Sequence, residues 1–231
     1  MHSIVLHLIA PSYLYAIAEE RGMTSLQLED RLIPHCNLDD CGTRIFDFGD
    51  RQFWFVVSDG LKPMVKDANR KLYSNLPKPN SKDDKEKAEA VIVEWKVLKQ
   101  QVTEVFKIQS SRLEWAMKSR RRWEVAEFEY LLVRHPLMCH LTQLMVWGGY
   151  DKEEHLIGTF HVTEDRTYAD EKDITCGLDR FDRIAIVHPD EFSPELLNIW
   201  GELMSDYKIA SPFMQLGRSI GDRESQEEIN T

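Results

Sequence analysis

The chain has 231 residues, 42% of them hydrophobic and 29% charged, with a formal net charge of -10. That profile fits one or two globular domains with a real core. The acidic balance argues against non-specific nucleic-acid binding by the chain as a whole, because the phosphate backbone would repel it.

Residues 1–34 read as a short helical N-terminal segment. Ile4 to Ala18 is apolar-rich, but no Lys or Arg precedes it, and His7, Pro11 and Ser12 break it. It therefore reads as folded helix and not as a signal peptide, and it is too short to span a bilayer. Residues 3–21 read as one or two short helices broken at Pro11, with Ser12 a candidate cap for the second and Gly22 its stop. Thr24-Ser25-Leu26-Gln27 is a capping box that opens a helix ending before Pro34.

Residues 35–220 read as a single α+β domain. Its β-rich part, 44–76, shows a period of two through Ile45, Phe48, Phe53, Phe55 and Val57, with Gly49-Asp50 as a turn. Two further strands are predicted near Leu61–Val65 and Lys71–Tyr73, making an antiparallel sheet with one wet face. Leu76-Pro77-Lys78-Pro79-Asn80 is a stiff connector.

The helical part, 83–147, opens with Asp83, Asp84 and Glu86, which favour the positive end of a helix dipole. Ala88, Val91, Trp95, Leu98, Val102, Val105 and Gln109 follow at steps of three and four, a stripe needing a partner along its length. Val125, Phe128, Leu131, Leu132, Leu137, Leu141, Leu144 and Met145 are spaced to fold back on it as a helical hairpin. The last part, 155–208, returns to a period of two at Leu156–Val162, Thr167–Ala169 and Arg183–Val187. Ser193-Pro194-Glu195 then starts a helix carrying Leu196, Leu197, Trp200 and Leu203. Residues 221–231 are polar and acidic, the composition of a disordered tail. The fold class expected is α+β: a long central helix and helical hairpin packed with two small antiparallel sheets.

Mechanistic motifs are missing from the sequence. It contains no P-loop, Gly-x-Gly-x-x-Gly or His-Glu-x-x-His. Cys36, Cys41, Cys139 and Cys176 are too few and scattered for a disulfide scaffold or zinc ribbon, and read as reduced thiols. His35-Cys36 with Cys41, and His135 with Cys139 and His140, are incomplete ligand sets. No metal and no cofactor are expected.

Two groups of residues are candidates for binding. Lys118, Arg120, Arg121 and Arg122 beside Trp123 form a basic patch able to meet phosphates and stack on a base. The plainer account is a cationic helix C-terminus paired with Glu124, Glu127 and Glu129. Arg134, His135, Trp147, His188, Gln215 and Arg218 punctuate element ends. They line one cleft for a nucleotide-type ligand, or they are hydrogen-bonded corners.

Several segments carry a family likeness. Ala18-Glu19-Glu20-Arg21-Gly22, Leu28-Glu29-Asp30-Arg31, Leu76-Pro77-Lys78-Pro79 and Leu132-Val133-Arg134-His135-Pro136-Leu137 come first in order. Val146-Trp147-Gly148, Phe160-His161-Val162-Thr163-Glu164-Asp165, Ile186-Val187-His188-Pro189 and Pro212-Phe213-Met214-Gln215-Leu216-Gly217-Arg218 follow. Together these resemble the uncharacterised domain of MolR-like proteins, from about Ala16 to Arg218. The resemblance implies a domain that accompanies WGR domains and helical repeats, in molybdate regulation and in DNA or ADP-ribose biology. It assigns no functional residue. Trp147-Gly148-Gly149 imitates the WGR signature but has Gly where Arg should stand.

The reading is therefore a cytoplasmic regulatory or interaction module, a nuclear location left open. Its expected partner is a protein, such as a WGR or helical-repeat companion, and no membrane is expected. The alternatives are an enzyme-like nucleotide-binding domain or a nucleic-acid contact through the basic patch.

Overall fold

The computed structural model describes residues 11–217. The helical turns expected before Pro11, the tail at 221–231 and Arg218 lie outside the described residues. Two compact units divide the chain. One takes residues up to Ile108 with Arg134–Met138, the other Gln109–Val133 and residues from Cys139 onward.

The first unit opens with α1 (Pro11–Glu20) and α2 (Ser25–Arg31). The described part of α1 runs from Pro11, and the break expected there lies at the edge of the described residues. Ser12 consequently lies inside the helix and is not its cap, a correction to the expectation. Gly22, at φ +66°, closes α1 in a left-handed turn. The Met23 N–H donates to the Ala18 carbonyl, and Gly22 N–H to that of Glu19 (both 3.0 Å). The capping box forms as expected. Thr24 Oγ1 accepts from the Gln27 N–H at 3.2 Å, and Gln27 Oε1 accepts from the Thr24 N–H at 3.0 Å.

Strands β1 (Ile45–Asp47), β2 (Gln52–Ser58), β3 (Lys62–Lys66) and β4 (Leu72–Tyr73) form an antiparallel meander in that order. Alternation along the strands puts Phe46, Phe53, Phe55 and Val65 on one buried face. The long helix α3 (Lys85–Lys118) supplies the cover. Its Trp95 ring lies 5.6 Å from Phe46 and 6.4 Å from Phe55 between centroids. Ala88, Leu98, Val102 and Val105 are buried with it, so the apolar stripe is the inward side.

Arg51 ties the sheet to the start of α3. Its guanidinium donates to both carboxylate oxygens of Asp83 and to the Lys78 carbonyl. The same group lies 5.6 Å from the Phe48 ring centroid and 5.4 Å from that of Phe53. The hydrogen bond from Arg51 holds the Asp83 carboxyl below its usual range.

In the second unit, α3 stops without a glycine. Arg120 adopts φ +53°, the Arg121 N–H donates to the Ala116 carbonyl (2.9 Å), and the Arg120 N–H to that of Met117 (3.0 Å). The stretch expected to return as helix is divided. It comprises β5 (Trp123–Glu124), α4 (Val125–Glu127), a π-helical turn over Phe128–Val133, α5 (Met138–Thr142) and β6 (Trp147–Tyr150). With β7 (Leu156–Val162), β8 (Tyr168–Asp170) and β9 (Arg183–Ile186), the two unforeseen strands complete an antiparallel sheet ordered β5-β9-β6-β7-β8.

The all-buried β6 has no alternation for a period-two reading to detect. Its Gly149 is required by contact: a Cβ there would fall 2.1 Å from the Phe181 ring. Helix α6 (Pro194–Asp206) starts as its sequence predicts, with Ser193 Oγ accepting from the Leu196 N–H at 3.1 Å. Its Trp200 and Met204 pack with Val146, Val187 and Phe192. No helix among the described residues is long and apolar enough to cross a membrane.

Two stability measurements check this packing. Trp95→Ala should lower the unfolding free energy in urea by about 3–5 kcal/mol, the usual cost of a large buried aromatic. Gly149→Ala should cost about 1–3 kcal/mol or more by overpacking against Phe181, seen as an earlier transition, while Gly201→Ala, with open space around it, should not destabilise.

Candidate functional site

The candidate residues fall into both units. Arg134 and His135 belong to the first, and Trp147, His188, Gln215 and the basic patch to the second. Arg134 is exposed, whereas His135 is 6% exposed.

Both ring nitrogens of His135 are spent inside the fold. Nδ1 accepts the backbone N–H groups of Leu137 (3.1 Å) and Met138 (3.2 Å). That assigns the proton to Nε2, which donates to the Ile33 carbonyl at 3.2 Å. Burial lowers its pKa to about 4. His135 is thus a corner residue that satisfies two amides, not a ligand contact.

Trp147 is fully buried. Its Nε1–H donates to the Thr142 carbonyl (2.8 Å), and its ring lies 4.7 Å from Phe128 and 6.0 Å from Trp123. Gln215 is 1% exposed and uses both ends of its amide. Oε1 accepts from the Val146 N–H (2.9 Å), while Nε2 donates to the carbonyls of Val146 (2.7 Å) and Val187 (3.0 Å). It fastens the chain entering β6 to the chain leaving β9. Both residues are structural, so the cleft reading is corrected for them.

The arginines of the basic patch converge on a carboxylate that the sequence reading did not single out. Glu191 lies in a one-turn 3-10 helix (Pro189–Glu191) capped by His188. Its Oε1 is 3.3 Å from Arg120 Nη1 and 3.7 Å from Arg122 Nη2. Its Oε2 accepts from the Tyr150 hydroxyl (3.1 Å) and the His188 N–H (2.9 Å). Asp190 adds a contact to Arg120 at 3.7 Å, and its backbone N–H donates to His188 Nδ1 at 3.3 Å. The Arg122 guanidinium also stacks 3.7 Å above the Tyr150 ring. Burial and the Glu191 carboxylate push the Tyr150 hydroxyl pKa well up, so it stays a proton donor.

This network corrects the phosphate-binding reading of the patch. Trp123 is 2% exposed in β5 with the Arg121 guanidinium 4.6 Å above its ring, so it cannot stack on a base. Lys118 pairs with Glu114 at 2.6 Å, one turn back. Of the described candidate residues, His188, Arg120 and Arg122 meet around Glu191. Tyr150, Asp190 and Glu191 went unnoticed because their partners lie distant in sequence, where no spacing rule applies.

The second unit also carries an open pocket of about 230 Å³. Met145, Met204, Met214, Ile209 and Phe213 supply much of its lining. Met214 is 66% exposed at its edge. Gln215 lines it too, with its amide already engaged as above. Small-molecule sites run from about 300 to 1,000 Å³, so this pocket suits an apolar side chain better than a nucleotide. Adaptable thioethers are common on such surfaces. Among the described residues, no group of three or more His, Cys, Asp or Glu is placed to hold a metal. Cys139 is buried, which raises its thiol pKa and disfavours thiolate chemistry.

One pH measurement checks the His135 corner. A folded pKa near 4 lies below the usual value of 6.5, so its contribution is present above pH 6.5 and is lost as pH falls toward 4. Urea unfolding should show about 3 kcal/mol less stability from this group over that window, and His135→Asn should flatten the dependence.

Comparisons with known proteins bear on the chain as a whole. Residues 71–231 match the family described as "Domain of unknown function (DUF4132)". The chain is also similar to "Uncharacterized protein YehI" of Escherichia coli (strain K12), at 35% identity over 211 residues. That alignment takes in 90% of this chain but 17% of the relative, so the chain spans about a sixth of the relative's length. No solved structure matches it.

Proposed function

We propose, from the premise that this chain belongs to the DUF4132 family of domains of unknown function, that it is a non-catalytic module that docks a protein partner. The observation that carries the reading is the methionine-lined pocket, open and small for a nucleotide. The candidate ligand contacts support it in turn, since His135, Gln215, Arg120 and Arg122 are engaged within their own units. The partner is a polypeptide that inserts one bulky apolar side chain, an arrangement in which a central anchor carries much of the affinity.

The great length of the related protein supports a companion segment as that partner. A WGR domain or helical repeat, as in MolR-like proteins, fits the role. The four scattered cysteines support a cytoplasmic setting.

A photo-reactive residue at position 214 tests the reading. It should cross-link to one discrete polypeptide, and Met214→Asp, at an exposed position, should abolish that product while leaving the circular-dichroism spectrum intact. A nucleotide that raised the melting temperature at micromolar concentration would overturn it, as would a cross-link indifferent to Met214→Asp.

A further inference from the structure

His161 is a buried imidazole that the fold leaves unsatisfied. It is 6% exposed on β7, and its Nδ1 has no hydrogen-bond partner among the described residues. His135, by contrast, spends both nitrogens on backbone groups. Two aromatic side chains, from α6 and from its C-cap, enclose the His161 ring. Trp200 lies edge-on at 5.9 Å between centroids, and Tyr207 lies at 5.8 Å with its plane 30° from that of the imidazole. Trp200 is fully buried, and its Nε1–H donates to Thr159 Oγ1 at 3.0 Å. Tyr207 is 51% exposed, and its hydroxyl donates to Asp173 Oδ2 at 2.7 Å. One wall is core, and the other is a flap tied at its tip.

The tie joins the end of α6 to the sheet margin, because Asp173 follows β8, the edge strand that pairs Ala169 with His161. Protonation would add a charge to a ring whose Nδ1 finds no acceptor, so it works against burial. Burial accordingly lowers the His161 pKa from its usual 6.5, with the Asp173 carboxylate acting in the opposite direction. Of the neighbouring acids, Glu171 accepts from Thr159 Oγ1 at 3.4 Å, and Asp206 acts on the Tyr207 hydroxyl.

The chain just past the flap is strained and belongs to the methionine pocket. Lys208 holds φ +56°, a conformation unfavourable for an L-residue. The next residue, Ile209, donates its N–H to the Met204 carbonyl at 2.8 Å. Met204 and Ile209 both line the pocket. Flap and pocket wall therefore share one turn of chain.

We propose that His161 is an acid-sensitive latch on the methionine pocket: its protonation displaces Tyr207, breaks the tie to Asp173 and lets the Met204–Ile209 wall relax. The charged ring reaches water on the Tyr207 side, where one exposed hydrogen bond resists it, while the Trp200 side is core. Asp173, released from the hydroxyl, then faces the imidazolium as a counter-ion. The neutral ring keeps the pocket in its docking shape, so the partner binds near neutral pH and leaves as pH falls below the ordinary imidazole value. By linkage, an occupied pocket makes His161 harder to protonate. The latch rests on the docking reading for what the pocket does, and on the geometry around His161 for how it is switched.

The test follows the full chain by NMR, with labelled methionine methyls, backbone amides and histidine rings, from about pH 7.5 to about pH 5, a range bracketing the ordinary imidazole value. The Met204 methyl should shift with the midpoint of the His161 ring. The protection of the Ile209 amide, taken relative to its intrinsic exchange rate, should fall about tenfold over the same range, as for a bond opened locally. His161→Phe, which keeps a ring between Trp200 and Tyr207, should abolish both changes. Asp173→Asn, at an exposed position, should move the midpoint to lower pH by about 0.5, because a favourable charge is removed. Tyr207→Phe should leave Ile209 less protected already at pH 7.5.

A Met204 shift that persists with the same midpoint in His161→Phe overturns the latch. So does an Ile209 protection flat across the range, or a His161 ring that titrates at or above 6.5. If His161→Phe does not fold, the decision passes to Asp173→Asn, and an unmoved midpoint there overturns the proposal. None of these readouts needs a partner. Should nothing cross-link at position 214 while Met204 still follows His161, the docking reading fails and the latch stands.

Discussion

Burial of the Trp95 side of α3 against the phenylalanine face of the first sheet is the constraint on which the first unit depends. A four-stranded meander has one apolar face and cannot hide it alone. The helix stripe at steps of three and four is the matching surface, and Phe46, Phe55 and Trp95 meet edge to face or tilted. Arg51 then fixes where the helix begins, because its fork engages Asp83 while two phenyl rings hold its plane. Position and packing are thereby set by different forces, the first directional and the second not.

The same helix passes into the second unit and ends there under a different rule. A left-handed residue terminates it, and that residue is Arg120. The conformation costs an L-residue about 1–2 kcal/mol, and the guanidinium placed by it reaches Asp190 and Glu191. Lys208 ends α6 in the same way, with the Ile209 N–H on the Met204 carbonyl at 2.8 Å. Helices that stop on arginine or lysine leave no glycine for a sequence reading to find. The end of α3 is therefore legible only as the point where its stripe fades.

Polar residues at element ends are ambiguous in a sequence for a related reason. His135, Gln215 and His188 have the chemistry of ligand contacts and equally that of corner braces. What separates the two is whether a backbone group lies within about 3 Å, which Gln215 owes to chain segments far apart in number and His135 owes both to its own neighbours and to distant Ile33. For His135 the deciding groups are Leu137, Met138 and Ile33, and for Gln215 they are Val146 and Val187. Each buried amide had to be paired by something, and these side chains do it.

Local physics alone determined the capping box at Thr24, the meander of 44–76, the inward stripe of α3 and the start of α6 at Ser193. These depend on neighbours within one turn or one strand, and periodicity records them. Tertiary structure alone decided that Trp123 is core while Trp115 is exposed, that Gly149 makes room for Phe181, and that Glu191 gathers two arginines and a tyrosine. Those outcomes follow from which surfaces meet across long separations in the chain, and a one-dimensional pattern carries no term for that.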